Sequence, residues 1–164
     1  MKINPALKGL LTAAAMIAVI LAIYNAGEDA GTKWQFLVYI FYALGIVWTL
    51  FAFRRTAKFT GTFGNLFAQG FKCFIVVTLL MALFYGLFNY FNPAFKEIAA
   101  NAYREALLGG LAKDKNILPT AIDKEVATYK KQYTLKLVSG AIFGYLIIGV
   151  GVTAVTSILL TRRK

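Results

Sequence analysis

The stretch Cys73–Phe91, with the sequence CFIVVTLLMALFYGLFNYF, decides the fold class of this protein. It contains no charged side chain, and it is long enough to cross a bilayer, because a span needs about 20 mostly apolar residues. Three other stretches have the same character: Gly9–Ala26, Trp34–Phe53 and Leu137–Leu160. Their apolar runs are continuous rather than alternating, which favours helices over barrel strands. The sequence therefore predicts an all-α integral membrane protein with four transmembrane helices.

The composition of the chain agrees with this fold class. Of its 164 residues, 59% are hydrophobic and 15% are charged, whereas soluble domains contain roughly 45–50% apolar and about 25% charged residues. Histidine is absent and cysteine occurs once. These counts exclude most zinc sites, Ser/His and Cys/His nucleophiles and an intrachain disulfide. We expect a single membrane domain covering residues 1–164.

The first span has an alternative interpretation as a cleaved signal peptide, because Lys2 and Lys8 flank the start of its apolar run. The length of that run and the three spans that follow it favour a retained helix instead. Lys8 and Lys72 stand at the ends of their segments, where we expect them to snorkel toward the headgroups.

The distribution of charge predicts the orientation of the spans. With four spans, the N-terminus, the second connection and the C-terminus share one side of the membrane. That side carries half of the 18 bases and none of the seven acids: Lys2, Lys8, Arg54, Arg55, Lys58, Lys72, Arg162, Arg163 and Lys164. The positive-inside rule then puts both termini in the cytoplasm. Because the bases flank spans, we expect no nucleic-acid partner.

Small residues recur at helical spacing in every span, which predicts an antiparallel four-helix bundle. Such residues let helix backbones approach, and packing drives helix association in lipid. The candidate packing residues are Ala14, Ala18, Ala22, Gly45, Thr49, Thr78, Ala82, Gly86, Gly140, Gly144, Gly149, Thr153 and Ser157. The alternative for the last span is that Gly140 and Gly144 form the interface of a homodimer.

The second connection combines basic residues with an aromatic stripe. Its bases Arg54, Arg55, Lys58 and Lys72 are candidate ligands for anionic lipid headgroups, which attract cations near the membrane surface. Its phenylalanines recur every four residues: Phe59, Phe63, Phe67 and Phe71. This pattern predicts a short interfacial helix on the cytoplasmic surface. The alternative is that the phenylalanine stripe packs under the bundle.

The third connection, Asn92–Lys136, is the one long polar segment, and it predicts a helical hairpin outside the membrane. Asn92-Pro93 has the pattern of an N-cap followed by proline at the first helical position. Gly109-Gly110 is expected to stop that helix. A second helix is expected to begin after Pro119, with Thr120 in a capping box, and to continue into the last span.

Two junctions of the chain resemble a known family. They are Gln69-Gly70-Phe71-Lys72, at the entry to the third span, and Asn89-Tyr90-Phe91-Asn92-Pro93, at its exit. With the basic tail, they make nearly the whole chain similar to the bacterial four-span family named domain of unknown function 4199. Thr120 departs from the serine expected there. The resemblance implies the four-span topology and brings no activity and no catalytic residues.

The residue inventory favours a protein that is not an enzyme. All seven carboxylates lie in the connections, whereas proton-coupled transport uses ionisable residues inside spans. Cys73 has no histidine to activate it, and Asn89 is expected to form a hydrogen-bonding clasp between helices. We therefore expect no catalytic residues, no metal site and no cofactor.

Two function classes fit this inventory. The first is a non-catalytic scaffold or accessory component, with the bilayer and its anionic lipids as partners and a membrane protein or a second copy as a further one. The second is an oligomeric channel or permease for a small solute. Its path would be lined by Thr78, Asn89, Thr153 and Ser157.

Overall fold

The computed structural model describes residues 4–25, 35–111 and 119–162. These residues form five helices and no strand: α1 (Pro5–Asn25), α2 (Gln35–Arg54), α3 (Phe63–Phe91), α4 (Ala94–Leu111) and α5 (Pro119–Arg162). All of these helices except α4 contain a stretch long and apolar enough to cross a membrane. The prediction of an all-helical protein with four spans is confirmed. The predicted span ends at Ala26 and Trp34 and the side chain of Thr120 lie outside the described residues.

Helix α3 begins earlier than the sequence predicts. It runs unbroken from Phe63 to Phe91, so three of the four stripe phenylalanines belong to its first turns and do not form a separate short helix. The physical reason is a helix cap. The backbone N–H of Asn65 donates a hydrogen bond to the Thr62 hydroxyl at 3.4 Å, which satisfies an otherwise unpaired backbone N–H of the first turn. Gly61 precedes the cap with a φ of 78°, a conformation that glycine adopts without strain.

The other helix boundaries follow the sequence more closely. Helix α5 continues without a break from Pro119 to Arg162, as predicted. Helix α4 passes through the Gly109-Gly110 pair and ends at Leu111. Glycine disfavours a helix interior by only about 1 kcal/mol, and such a cost does not force a helix to stop.

The chain divides into two compact units, which are described separately. The first consists of Met1–Ala82 and Ala141–Lys164, and the second of Leu83–Gly140.

Two helix pairs of the first unit, α1 with α2 and α3 with α5, run antiparallel. On α1 and α2, Lys8 faces Trp48 and the later Thr12 faces the earlier Gly45. On α3 and α5, Gly70 lies against Thr153, and the later Phe74 lies against the earlier Gly149. Large apolar side chains fill the space between these helices: Met16, Tyr42, Ile46, Leu50, Leu66, Phe74, Val77 and Met81.

The outward surface of the first unit is apolar as well. Exposed large side chains cover every one of its helices, among them Leu11, Phe36, Leu79 and Ile147. A soluble protein rarely exposes so extended an apolar surface. This surface fits a lipid environment.

The second unit is held together by contacts between α4 and the first part of α5. Arg104 forms an ion pair with Asp123 at 2.6 Å, and Lys130 forms one with Glu97. The rings of Tyr103 and Tyr129 stack with their centroids 4.3 Å apart. The helical part of the predicted hairpin is thus present, and its charges pair across the two helices.

Close contact at Gly149 generates the first prediction. A Cβ atom there would lie 3.0 Å from the Cβ of Phe74 and would collide with the Tyr42 hydroxyl, whereas a Cβ at Gly151 would meet nothing within 4 Å. Overpacking costs typically about 1–3 kcal/mol, and replacing a helical glycine by alanine otherwise gains up to about 1 kcal/mol. Gly149→Ala should therefore lower the thermal midpoint in mild detergent. Gly151→Ala, the matched control two residues away, should keep or raise it, and equal midpoints for the two variants would contradict the packing at Gly149.

Candidate functional site

A lysine lies inside the bundle of the first unit. Lys8 is in the first turns of α1 and is only 6% exposed. Its Nζ atom lies 5.1 Å from the ring centroid of Trp48 on α2, a distance at which a cation is attracted to the ring face. The sequence placed Lys8 at the end of its span with a snorkelling side chain. In the structure helix α1 begins at Pro5, so that Lys8 belongs to the helix and its side chain packs against Trp48.

The cysteine of the chain is buried next to this lysine. Cys73 on α3 is fully buried, and its sulfur lies 3.4 Å from the Thr49 hydroxyl of α2. Gly9, beside Lys8, lies so close to α3 that a Cβ atom would be 2.6 Å from the Cys73 carbonyl oxygen. Three helices therefore meet at the thiol, and the absence of a side chain at Gly9 makes the contact feasible.

Three buried threonines of the first unit donate their hydroxyl proton to a carbonyl oxygen of their own helix. Thr12 donates to Lys8, Thr49 to Gly45 and Thr78 to Phe74, at 2.8, 2.8 and 2.9 Å. Bonds of this kind satisfy the hydroxyl proton without a partner from another helix. The Tyr42 hydroxyl, by contrast, reaches across from α2 to the Tyr145 carbonyl oxygen of α5 at 2.8 Å.

Two hydroxyl groups of α5 behave differently. Thr153 and Ser157 are fully buried, and their oxygens have no hydrogen-bond partner among the described residues. They lie four residues apart, which puts them on one face of the helix. Thr153 packs directly against Gly70 of α3.

Asn89, the other polar residue predicted for the solute path, belongs to the second unit. Its amide nitrogen donates to the Tyr85 carbonyl oxygen at 2.9 Å. Its amide oxygen is buried and has no partner among the described residues. The hydrogen bond that the structure gives Asn89 is thus within α3.

The predicted packing residues fall into three groups by exposure. The buried ones are Gly45, Thr49, Thr78, Gly149, Thr153 and Ser157. The half-buried ones are Ala82, Gly86 and Gly144. The exposed ones are Ala14, Ala18, Ala22 and Gly140.

Sequence reasoning missed the buried face of α1 and one glycine of α3. The buried face of α1 contains Lys8, Gly9, Thr12, Ala13, Met16 and Ile20. On α3, Gly70 provides the close contact with α5. The signal for α1 was the polar pair Lys8 and Thr12, four residues apart, because polar residues of a span face the bundle interior. The alanine stripe of α1 consequently lies on the opposite, exposed side.

The four bases predicted to bind lipid all belong to the first unit. Arg54 is in the last turn of α2 and is half-buried. Arg55 and Lys58 follow it in the loop, and Lys72 is on α3; all three are exposed.

The second unit contains an open groove of about 420 Å³. Its lining is aromatic and charged: Tyr103, Ala121, Lys124, Glu125, Thr128, Tyr129 and Lys136. Tyr129 is sandwiched, since Tyr103 stacks on its ring and the Lys136 ammonium lies 5.3 Å from its centroid. In the described part of the chain, no three His, Cys, Asp or Glu residues converge as metal ligands.

A comparison with known protein families finds a match. The family model described as "Protein of unknown function (DUF4199)" matches residues 7–162. No curated protein and no solved structure matches the chain.

The contact between Gly9 and Cys73 generates a second prediction. Because the thiol is fully buried, maleimide should label it slowly in mild detergent and rapidly after unfolding. Gly9→Leu should speed native-state labelling at least tenfold, because α1 can no longer seat against the Cys73 carbonyl. Leu11→Phe, a substitution at an exposed position of α1, should leave the rate unchanged. Rapid labelling of the unmodified protein would show that α1 does not cover the thiol.

Proposed function

We propose that this chain, which belongs to the family described as "Protein of unknown function (DUF4199)", is a non-catalytic scaffold or accessory component of a bacterial inner membrane. The family description names no activity. The observation that supports the proposal is the way in which the buried polar groups are used. The hydroxyls of Thr12, Thr49 and Thr78 bond to their own helices, and close helix contacts surround them.

The charged groups of the second unit support the same proposal. Catalysis by carboxylates needs groups that converge on one reacting centre. Glu97 and Asp123 instead form ion pairs with Lys130 and Arg104 between α4 and α5. We interpret these carboxylates as structural, and we propose neither a cofactor nor a metal for the protein.

The proposed orientation has both termini in the cytoplasm and the α4–α5 hairpin on the opposite side. It is supported by the positive-inside rule, applied to the bases of the second connection. In this orientation Arg54, Arg55, Lys58 and Lys72 would hold anionic lipids of the cytoplasmic leaflet.

A protein partner would need a free helix face, and α1 offers one. Ala14, Ala18 and Ala22 form an exposed stripe of small residues, and Gly140 of α5 is exposed as well. Small residues allow close approach of a further transmembrane helix. We propose that another membrane protein or a second copy of this chain packs against the alanine stripe of α1, and we propose no nucleic-acid partner.

One observation favours the alternative, an oligomeric channel or permease. The hydroxyl oxygens of Thr153 and Ser157 have no hydrogen-bond partner in the described part of the chain. Unpaired buried polar atoms are unfavourable, and water or a solute in a path would pair with them. The channel remains the second candidate for this reason.

Site-directed labelling tests the proposed orientation. In a Cys73→Ala background, single cysteines replacing Thr56 and Lys164 should react with a membrane-impermeant maleimide only when the cytoplasmic face is open. A cysteine replacing Asn116 should react only from the opposite face. Labelling of the Asn116 position from the cytoplasm would invert the proposed topology.

Lipid retention tests the role of the four bases. Each base near an anionic surface contributes about 1 kcal/mol. Replacing Arg54, Arg55, Lys58 and Lys72 together by glutamine should reduce the phosphatidylglycerol that co-purifies in mild detergent. Glutamine at Lys124, Lys130, Lys131 and Lys136, which removes the same charge from the second unit, is the matched control. Equal losses of phosphatidylglycerol in the two variants would mean that lipid retention depends on the net charge of the protein and not on the position of these four bases.

Reconstitution tests the proposal that the protein is neither an enzyme nor a transporter. Purified protein in liposomes should show no uptake driven by a pH gradient and no lipid turnover above that of empty vesicles. Activity that disappears in Thr153→Val or Ser157→Ala would favour the channel. Activity that disappears when a single carboxylate is removed would establish a catalytic or ion-coupled role.

A further inference from the structure

The Lys8 ammonium is buried, and no acidic side chain of residues 4–25, 35–111 and 119–162 forms an ion pair with it. The side chain is 6% exposed, and the ion pairs of the described residues, Arg104–Asp123 and Lys130–Glu97, lie in the second unit. Burying a charge is costly unless it is paired. Charged residues inside membranes accordingly pair with another group or mark a ligand pathway.

The neighbours of Lys8 within the bundle do not neutralise it. Trp48 offers the face of its ring, and the Thr12 and Thr49 hydroxyls donate their protons to carbonyl oxygens. The position in the first turns of α1 adds further positive potential, because the amide dipoles of a helix point their positive end there. The surroundings of Lys8 therefore favour an anion.

The side of the bundle next to Lys8 is open to lipid. Trp48, which covers the ammonium, is itself 46% exposed. Leu7 and Leu11 beside Lys8 on α1 are exposed, as are Leu44 and Phe51 beside Trp48 on α2. A tryptophan flanked by apolar residues is typical of the headgroup boundary, where its ring is apolar and its N–H finds a polar partner.

We propose that Lys8 binds the headgroup phosphate of an anionic phospholipid, with Trp48 beside the headgroup and the exposed leucines of α1 and α2 along the acyl chain. The ammonium then gains a charge-assisted hydrogen bond. The site goes beyond the proposed function, because it uses none of the four bases Arg54, Arg55, Lys58 and Lys72 and does not depend on the orientation. A free inorganic phosphate would offer the same charge to Lys8, but it would leave the apolar flanks unused.

Fluorescence of Trp48 gives a local reading of which lipid is bound. The chain has two tryptophans, so Trp34→Phe leaves Trp48 as the sole reporter. The variant is reconstituted in phosphatidylcholine with a small fraction of either dibrominated phosphatidylglycerol or dibrominated phosphatidylcholine. The salt concentration is about 1 M, at which the Debye length is about 3 Å and the attraction of exposed bases is largely screened. Excess quenching by the brominated anionic lipid measures its preference for the site.

The decisive variant is Lys8→Met, an apolar side chain of similar length. Replacing a buried charge by a well-packed apolar group is often neutral or stabilising, and slow maleimide labelling of Cys73 verifies that the bundle is intact. The excess quenching of Trp48 by brominated phosphatidylglycerol should fall about fivefold, because one base near the headgroups contributes about 1 kcal/mol. Lys8→Gln should behave in the same way. Lys131→Gln, which removes an equal charge at an exposed position of the second unit, should keep the preference.

Three results would overturn the proposal. The first is an unchanged preference in both Lys8→Met and Lys8→Gln, and the second is an equal loss in Lys131→Gln. The third is loss of the preference when inorganic phosphate is added at high concentration, which would assign the site to a free anion. The four-base glutamine variant should keep the preference at high salt, so a failure of the proposed headgroup role of those bases is distinguishable from a failure at Lys8.

Discussion

Close contact between glycine and a neighbouring helix is the interaction on which the first unit depends. Spans in lipid gain no hydrophobic energy from associating with one another, so van der Waals packing has to hold them together. Gly9 lies against the Cys73 carbonyl, Gly45 against Thr12 and Gly70 against Thr153. These contacts join α1, α2, α3 and α5 in pairs. They also bring Lys8, Thr49 and Cys73 within reach of one another.

The sequence contains enough information to predict the spans, because their length and apolar character are set by the thickness of the bilayer. The continuity of α5 was predictable for a similar reason, since nothing between Pro119 and Arg162 breaks a helix. The inward face of α1 was harder to predict. In a helix that is apolar all round, Ala14, Ala18 and Ala22 look like a packing stripe. The polar pair Lys8 and Thr12 determines which face of α1 is buried, because a polar group is more stable inside the bundle than exposed to lipid.

The buried site was only partly predictable as well. Thr49, Thr153 and Ser157 were identified as residues facing other helices, and the structure buries all three. The meeting of Lys8, Trp48 and Cys73 was not predicted, because it joins three helices and no local spacing encodes it. Helix capping by Thr62 was likewise missed, and with it the early start of α3. The spacing of apolar and small residues along the sequence does not reveal two features. They are the contacts between distant parts of the chain and the short polar caps of helices.

The bundle contains two kinds of buried polar group. Thr12, Thr49 and Thr78 bond to their own helices, and they act as small residues that permit close packing. Thr153 and Ser157 keep unpaired oxygens, and the interpretation of the protein as a scaffold or as a channel depends on whether water reaches them.

The most direct test of the central claim is therefore the reactivity of cysteines that replace Thr153 and Ser157, one at a time, in a Cys73→Ala background. The measurement is the rate of modification by a small charged methanethiosulfonate applied to intact membranes. A closed bundle predicts no modification at either position until the protein is unfolded. Rapid modification at both positions in the folded protein would contradict the account and would establish a water-filled path through the bundle.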